Sequence, residues 1–289
     1  MTRFLTAGAL AVGLLFSGCD AAGPADDLDT TDIAATVASA FALDTGGALD
    51  EAAQAAVGAG YAGLRDAGHG GHGFGRLAGG ACESDASADG DATRVTISCA
   101  RGGDRRSATL DRTVRFAYTD AAGQPVPTRD GAAALAFSVL SGTSTAVSPR
   151  ATREVTESRA AYAVTGLGTD AVTVNGTSSR AGSVAVTRPD GSTRRADYTV
   201  TLALTDVTGP SPQRVGVRAF RGRWQRAASG TAEGVYRATV TTTGADGEST
   251  TETVERPFTV AFPVDGEGRA RVRVGGRDHR ADTGSGDVD

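Results

Sequence analysis

Most of the chain from residue 93 onward alternates between apolar and polar residues with a period of two. In one such run, the side chains of Leu110, Val114 and Phe116 fall on one face, and those of Thr113 and Arg115 fall on the other. This period is typical of half-buried antiparallel strands. The same alternation recurs around residues 135–139, 162–164, 172–174, 184–186, 198–204, 215–217, 236–240, 258–262 and 272–274. Because one face is apolar and must be covered, a single flat sheet is excluded.

Residues that tolerate positive φ stand between the alternating runs, at Asn175-Gly176, Asp190-Gly191, Asp246-Gly247 and Asp265-Gly266. Consecutive strands joined by short turns predict an antiparallel meander. We therefore predict a mainly β fold over residues 81–276, in which the meander forms a curved sheet, either a barrel or a half-barrel. A two-sheet sandwich is the alternative. Residues 277–289 are expected to form a flexible tail.

Two short helices are predicted before the sheet, over residues 32–43 and 48–65 of a helical segment that spans 32–67. Apolar residues recur on one face of each helix: Ile33, Val37 and Phe41 in the first, and Leu49, Ala53, Val57, Tyr61 and Leu64 in the second. Glycines weaken the second helix, so it depends on packing against the sheet. We expect the helices to cover an edge or the mouth of the sheet.

The N-terminal segment carries a targeting signal. An apolar run from Ala7 to Phe16, too short to span a bilayer, leads into Ser17-Gly18-Cys19. This segment resembles the signal peptide and lipobox of bacterial lipoproteins. The resemblance implies cleavage after residue 18, acylation of Cys19 and a membrane anchor made of acyl chains. The alternative is an ordinary secretory signal, and both interpretations take the chain out of the cytoplasm.

Residues 19–31 are small and acidic and are expected to form a tether between the anchor and the folded part. From Cys82 to the last strand, the chain resembles the β-rich, mostly uncharacterised envelope lipoproteins of GC-rich Gram-negative bacteria. The lipobox, the Cys82 and Cys99 pair around an Asp-rich loop, and the strand motif from Val172 to Thr177 carry this resemblance. It implies a lipid-anchored protein of the cell envelope, at the outer membrane on its periplasmic face or at the surface, and brings no known activity.

Cys82 and Cys99 are the thiols that remain once Cys19 is acylated. Because exported proteins meet an oxidising environment, we expect these two cysteines to form a disulfide. Closing a loop of this length would stabilise the fold by about 3 kcal/mol. Two free buried thiols and a metal-binding pair are the alternatives.

Two groups of residues are candidate metal ligands. His69 and His72 lie in a Gly-rich stretch at residues 68–80, which we interpret as a linker, and two imidazoles alone make a weak site. The second group, at Asp85, Ser87, Asp89 and Asp91, resembles the opening of an EF-hand calcium loop. Its twelfth position is Thr96 instead of a bidentate Glu, so an acidic hairpin tip is the favoured interpretation. No cofactor is predicted, apart from calcium as a weak candidate at the second group.

A basic run with interleaved aromatic residues could bind an anion or a glycan: Arg218, Phe220, Arg221, Arg223, Trp224 and Arg226. The alternative, which we favour, is a strand with Trp224 buried and its arginines solvated. The whole chain has 29 basic and 34 acidic residues and a net charge of −5. This acidic balance argues against a nucleic-acid partner.

The sequence offers little evidence for catalysis, because it contains neither a G-x-S-x-G nor an H-E-x-x-H motif. We predict no catalytic residues. The predicted function is that of a non-catalytic, lipid-anchored envelope protein with a structural or binding role, whose partner is an envelope protein, a glycan or a lipid. The alternative is a periplasmic carrier that holds a lipid or another amphiphile in the apolar concavity of its sheet.

Overall fold

A computed structural model gives the fold of the chain and describes residues 30–42, 46–57, 81–102, 107–211, 224, 226–262 and 268–289. Within these residues there are two helices, α1 (Thr30–Phe41) and α2 (Ala48–Val57). The strands are β1 (Ala81–Asp89), β2 (Ala92–Arg101), β3 (Ser107–Thr119), β4 (Pro125–Val126), β5 (Ala134–Val147), β6 (Ala151–Thr165), β7 (Ala171–Thr187), β8 (Thr193–Pro210), β9 (Ser229–Thr243), β10 (Ser249–Phe262), β11 (Arg269–Val274) and β12 (Arg277–Asp282).

The described strands form one antiparallel meander. Eleven of them pair in the order β1-β2-β3-β5-β6-β7-β8-β9-β10-β11-β12, and the two-residue β4 pairs with β3. In this order β1 and β12 are the two edges, so the sheet is not closed. The predicted fold class, a mainly β meander preceded by short helices, is confirmed. The sandwich alternative is wrong, because the described strands belong to a single sheet.

Bulges in the long central strands bend the sheet. The strand register shifts at Thr113/Val114, Val155/Glu157, Val174/Gly176 and Thr205/Thr208. Each bulge adds a residue to one strand and increases local bending and twist. The extra residues include Leu140 of β5, Thr156 of β6 and Asn175 of β7, and others lie in β8, so the bulges are in the central strands of the sheet.

One of these bulges corrects a sequence prediction. Asn175-Gly176 was predicted as a turn, but β7 runs through it without a break. Gly176 has a φ of 150°, and a Cβ there would lie 2.1 Å from the carbonyl oxygen of Ala161. The Asn175 side chain accepts a hydrogen bond from the amide of Asp206 on β8, at 2.7 Å. The dipeptide therefore forms a bulge, which uses the same residue types as a turn.

The C-terminal end is more ordered than expected. Residues 277–289 were predicted to be a flexible tail, but β12 pairs with β11 along its whole length. Beyond β12, Ala281 forms a bridge with Val288, and Thr283 donates a hydrogen bond to the carbonyl of Gly268. The tail prediction is wrong because the polar sequence of β12 pairs through its backbone, which side-chain periodicity does not reveal.

The inner, concave face of the sheet carries the core. One row of residues crosses eight strands on this face: Phe116, Phe137, Tyr162, Gly176, Leu204, Ala232, Val260 and Val272. The rings of Phe137 and Tyr162 stack with centroids 6.2 Å apart. We call this part of the inner face, together with the adjacent row through Val139 and Leu202, the filled end.

The helices lie inside the curve of the sheet. α1 packs against the edge strand β12 and its neighbour β11, whereas α2 packs against β5, β6 and β7 in the middle. The prediction that the helices cover an edge or mouth is therefore right for α1 and wrong for α2, which is buried from Ala48 to Ala56. A backbone contact joins them: a Cβ on Gly47 would lie 2.3 Å from the backbone of Phe41. Neither described helix has the length and apolar content that crossing a membrane requires.

Candidate functional site

The inner face changes character toward the end of the sheet that carries the β5–β6 and β7–β8 turns. The row Leu110, Ser144, Val155, Gly182 and Tyr198 is followed by the row Ala108, Ala146, Arg153, Val184 and Ala196. Most of these side chains are small, so they do not reach α1. We call this part of the inner face the open end.

A cavity of about 250 Å³ lies between α1 and the open end. Its lining from the helix includes Ile33, Thr36 and Ser39, and its lining from the sheet includes Val184 and Tyr198. We call it the open-end cavity. Apolar walls with a few polar groups are typical of sites that bind small molecules.

The mouth of the cavity faces solvent. Ala146, Val186 and Arg188 line the cavity and are exposed, at the ends of β5 and β7 and in the turn after β7. Among the described residues, the large hydrophobic side chains that are exposed are Val147, at 40%, and Val186, at 37%. Val186 lines the cavity and places exposed apolar surface at its mouth, whereas Val147 follows the lining residue Ala146 and points to the opposite face of β5.

A buried polar cluster separates the open end from the filled end. Glu51 of α2 lies at its centre, and Arg180 donates to its carboxylate at 2.7 Å. The Tyr162 hydroxyl donates to the other carboxylate oxygen, also at 2.7 Å. Arg112 lies 3.6 Å from Glu51 and 3.5 Å from Asp50. Gln54, Ser158 and Ser178 complete this group, which we call the Glu51 cluster.

The Glu51 cluster is a neutral set of charges held inside the protein. The side chains of its two arginines and two carboxylates are at most 4% exposed. Burial alone would raise the pKa of Glu51, but Arg180, Arg112 and the Tyr162 hydroxyl together hold it below its ordinary value. Burial and the Glu51 charge raise the pKa of Tyr162 well above its ordinary value. The cluster therefore stays ionised at Glu51 and protonated at Tyr162, and it attaches α2 to the sheet.

Two tyrosines and several arginines give the cavity its polar character. Tyr198 and Tyr236 stack with ring centroids 6.5 Å apart. Burial raises the pKa of both phenols, to about 12 for Tyr236. The positive charges of Arg180 and Arg153 oppose this rise in the pKa of Tyr198. Both guanidinium groups therefore lie near the Tyr198 hydroxyl. Arg194 pairs with Asp32 at the start of α1.

Several predicted site residues lie outside the described residues. These are Cys19 and its signal, the tether up to residue 29, His69 and His72 with their linker, and Arg218, Arg221 and Arg223. The predicted end of the tether is wrong, because residues 30 and 31 already belong to α1. The strand register sets Cys82 directly opposite Cys99 across β1 and β2, and Cys99 is 2% exposed.

The calcium-loop interpretation of Asp85, Ser87, Asp89 and Asp91 is wrong. The first three lie in β1, an extended strand that pairs with β2, and a two-residue turn at Gly90 and Asp91 joins the strands. Alternate residues of a strand are spaced along it and do not encircle an ion. Asp89 instead pairs with Arg94 at 3.1 Å and Arg115 at 3.2 Å. In the described part of the chain, no group of three or more His, Cys, Asp or Glu residues is placed to hold a metal.

Trp224 does not form a stacking surface for a glycan, because it is fully buried. A Cβ on Gly209 would lie 2.2 Å from its ring, so the indole packs directly on the backbone of β8. The interpretation that Trp224 is buried is therefore right, but the predicted strand is wrong at Trp224 and Arg226, because both have helical backbone. Arg226 is exposed beside it, but the indole is not available to a ligand on that surface.

The inward-facing arginines were not predicted from the sequence. The period-two pattern placed Arg side chains on the outer face, whereas Arg112, Arg153 and Arg180 face inward. For Arg112 a signal exists, because it lies two residues from both Leu110 and Val114 and shares their face. Arg180 lies between Ser178 and Gly182, so no apolar neighbour marks its face.

The chain was compared with known proteins. No protein family, no curated protein and no solved structure matches it.

Proposed function

We propose that the protein is a non-catalytic, lipid-anchored protein of the cell envelope that binds a small amphiphile in the open-end cavity. The observation that carries this proposal is the cavity itself, which lies between α1 and a wall of small side chains. Its apolar walls suit a hydrocarbon chain, and its tyrosines and arginines suit a polar head. This function joins the binding role and the carrier role that the sequence left as alternatives.

Native mass spectrometry of the full chain, purified from its own envelope fraction and freed of detergent, tests this proposal. We expect one bound amphiphile per chain, which organic extraction releases for identification. The Ala196→Leu variant is the control, because it places a larger side chain in the cavity wall. A chain that carries no amphiphile, and takes up none when incubated with alkyl-chain compounds, would contradict the proposal.

A purely structural envelope module is the second candidate. The filled end and the Glu51 cluster favour it, because they show that much of the inner face serves packing. An empty, monomeric protein that is recovered from the envelope by cross-linking to an envelope protein would support this candidate.

The absence of catalysis is part of the proposal. The sequence has no nucleophile motif, and the buried carboxylate of Glu51 is fully engaged by Arg180, Tyr162 and two serines. A general acid or base needs a proton that it can exchange with a substrate. Chromogenic esters, glycosides and phosphate esters should therefore be turned over no faster by the native chain than by the Glu51→Gln variant.

The lipid anchor is proposed at Cys19, on the resemblance of its preceding residues to a lipobox. Growth with an alkyne-labelled fatty acid should label the native chain and place it in the membrane fraction. Cys19→Ala should remove the label and release the protein. A labelled Cys19→Ala variant would place the acyl group elsewhere.

A disulfide between Cys82 and Cys99 is proposed from their register. Directly opposed residues of antiparallel strands have Cα atoms about 4.5–5.5 Å apart, which is within the range that a disulfide spans. Reductant should lower the thermal midpoint of the native chain, in line with a loss of about 3 kcal/mol. It should leave the midpoint of a Cys82→Ser, Cys99→Ser variant unchanged. An unchanged midpoint in the native chain would contradict the bond.

A further inference from the structure

We infer that the amphiphile of the open-end cavity has a single chain and an anionic head, and that Arg153 binds this head. The inference rests on the proposed function and specifies the class of its ligand. A carboxylate and a phosphate share the chemistry that a guanidinium recognises, which is a set of negatively charged oxygens that accept its hydrogen bonds.

The charges around the cavity are the first argument. Among the described residues, four arginines line it, Arg153, Arg180, Arg188 and Arg194, together with one acidic residue, Asp32. Glu51 compensates the charge of Arg180, and Asp32 compensates that of Arg194, so the excess of positive charge comes from Arg153 and Arg188. It occurs in a chain whose net charge is −5. A concave site with charge of one sign on apolar walls attracts ligands of the opposite sign.

The partners of these arginines single out Arg153. Glu51 engages Arg180, and Asp32 pairs with Arg194. Arg188 lies near Asp190 in the turn after β7, where its charge helps to lower the pKa of that aspartate. Within the described residues, Arg153 has neither an ion pair nor a hydrogen-bonded side-chain partner. Arg153 is nevertheless half-buried. An anionic partner would offset the free energy that it costs to remove its guanidinium from water.

The position of Arg153 fits the head of an amphiphile. On the inner face it lies between Ala146 of β5 and Val184 of β7. Val155 is the next inward residue of β6, on the side of the Glu51 cluster. The raised pKa of Tyr198 keeps its hydroxyl protonated. The hydroxyl lies close enough to Arg153 for the positive charge to oppose that rise. Arg153 and Tyr198 therefore offer hydrogen-bond donors next to an apolar wall.

The size of the cavity indicates one chain. Its volume of about 250 Å³ is below the range of roughly 300–1,000 Å³ that is typical of sites for drug-sized ligands. Small side chains make the sheet wall, and Ile33 and Ala40 face it from α1. A single alkyl chain fits this space, and a two-chain phospholipid would leave one chain outside.

Isothermal titration of the full chain, stripped of bound material, tests the inference with four ligands that share one tail. These are decanoate, decyl phosphate, decan-1-ol and decyltrimethylammonium, all below their micelle concentrations. We expect both anions to bind at least about tenfold more tightly than the alcohol and the cation, because a hydrogen bond to a charged group is worth more than a neutral one. The ratio of decanoate to decyl phosphate affinity distinguishes a carboxylate from a phosphate head.

Two variants on β6 locate the head. Arg153→Gln should weaken decanoate binding about tenfold and leave decan-1-ol binding unchanged. Arg159→Gln is the matched control, because Arg159 lies on the outer face of the same strand and pairs with Glu157 at 2.6 Å. It should bind decanoate as the native chain does. Circular dichroism and thermal midpoints confirm that both variants are folded.

The outcomes separate the inference from the proposed function. If the alcohol binds as tightly as the anions, or if Arg153→Gln binds decanoate normally, the anionic head is wrong and the amphiphile site stands. If the cation binds best, the charge is wrong in sign. If none of the four ligands binds the folded native chain, the proposed function itself fails.

Discussion

The filled end and the open end belong to the same strands, yet they differ in what their inner faces carry. At the filled end, aromatic and branched side chains such as Phe116, Phe137 and Leu204 meet with almost no exposed surface. At the open end, several inward positions are alanine, glycine or serine, and a cavity remains beneath α1. The alternation of polar and apolar residues is similar at both ends. The volume of the inward residues, and not their polarity, therefore decides where this sheet has a core and where it has a site.

The largest effect is expected from removing one ring of a stacked pair at each end. Phe137→Ala should lower the free energy of unfolding by about 3–5 kcal/mol, because Phe137 is 1% exposed and stacks on Tyr162. Tyr198→Ala removes the corresponding ring of the pair with Tyr236, but Tyr198 already borders the cavity. Its cost should be about 1–2 kcal/mol. Denaturant unfolding measures both, and equal losses would show that the two ends are packed alike.

The second largest effect concerns the boundary between the ends. Glu51→Gln should lower the free energy of unfolding near pH 7 by about 3 kcal/mol, because Arg112 and Arg180 would stay buried with one negative charge fewer. Glu255→Gln on the outer face is the control. It breaks an exposed pair with Arg237, and unfolding should be almost unchanged.

The Glu51→Gln variant should also differ from the native chain in how its stability depends on pH. The folded-state pKa of Glu51 is lowered, so its stabilisation is complete above the ordinary value near 4.5 and is lost as the pH falls through the folded-state pKa. The native chain should therefore lose stability below about pH 4.5 more steeply than Glu51→Gln does. Denaturant unfolding at a series of acidic pH values measures the two slopes. Parallel slopes would mean that Glu51 is not the group that titrates.

More of the fold than of the site could be predicted from the sequence. Period-two alternation identifies strands because one face of each is buried, and Asp190-Gly191 and Asp246-Gly247 do form the turns of hairpins. The alternation does not separate a turn from a bulge, so Asn175-Gly176 was misassigned. It also does not reveal strands such as β12, whose backbone pairs although its side chains are mostly polar.

The site depends on contacts between residues that are far apart in sequence. Glu51 meets Arg180, a separation of 129 residues, only because the bulged sheet bends around α2. No local pattern around either residue predicts the other. The small inward residues of the open end are visible in the sequence, but the space they leave depends on where α1 lies. An arginine in phase with apolar neighbours, such as Arg112, is the one local signal of a buried partner.

A third prediction applies one substitution to both ends. Ala232 lies between Leu204 and Val260 at the filled end and is 2% exposed. Ala232→Leu should destabilise the protein by about 1–3 kcal/mol, because a packed core has no room for the added atoms. Ala196→Leu extends into the open-end cavity and should leave stability unchanged or higher while it abolishes amphiphile binding. Equal destabilisation by both variants would mean that the cavity cannot accept added volume.

The smallest change in stability is expected at the start of α1. Asp32 is exposed, its side chain at 52%, and it pairs with Arg194 at the cavity wall. Asp32→Asn should alter the free energy of unfolding by less than about 1 kcal/mol, because ion pairs with an exposed partner contribute little. It also removes the acidic residue that lines the cavity and leaves Arg194 free to meet an anion. Decanoate should therefore bind more tightly to this variant in titration, and decan-1-ol should bind as before. Weaker decanoate binding would instead show that the ion pair is needed to keep α1 over the cavity, which would make the open end depend on its helix as strictly as the filled end depends on its aromatic row.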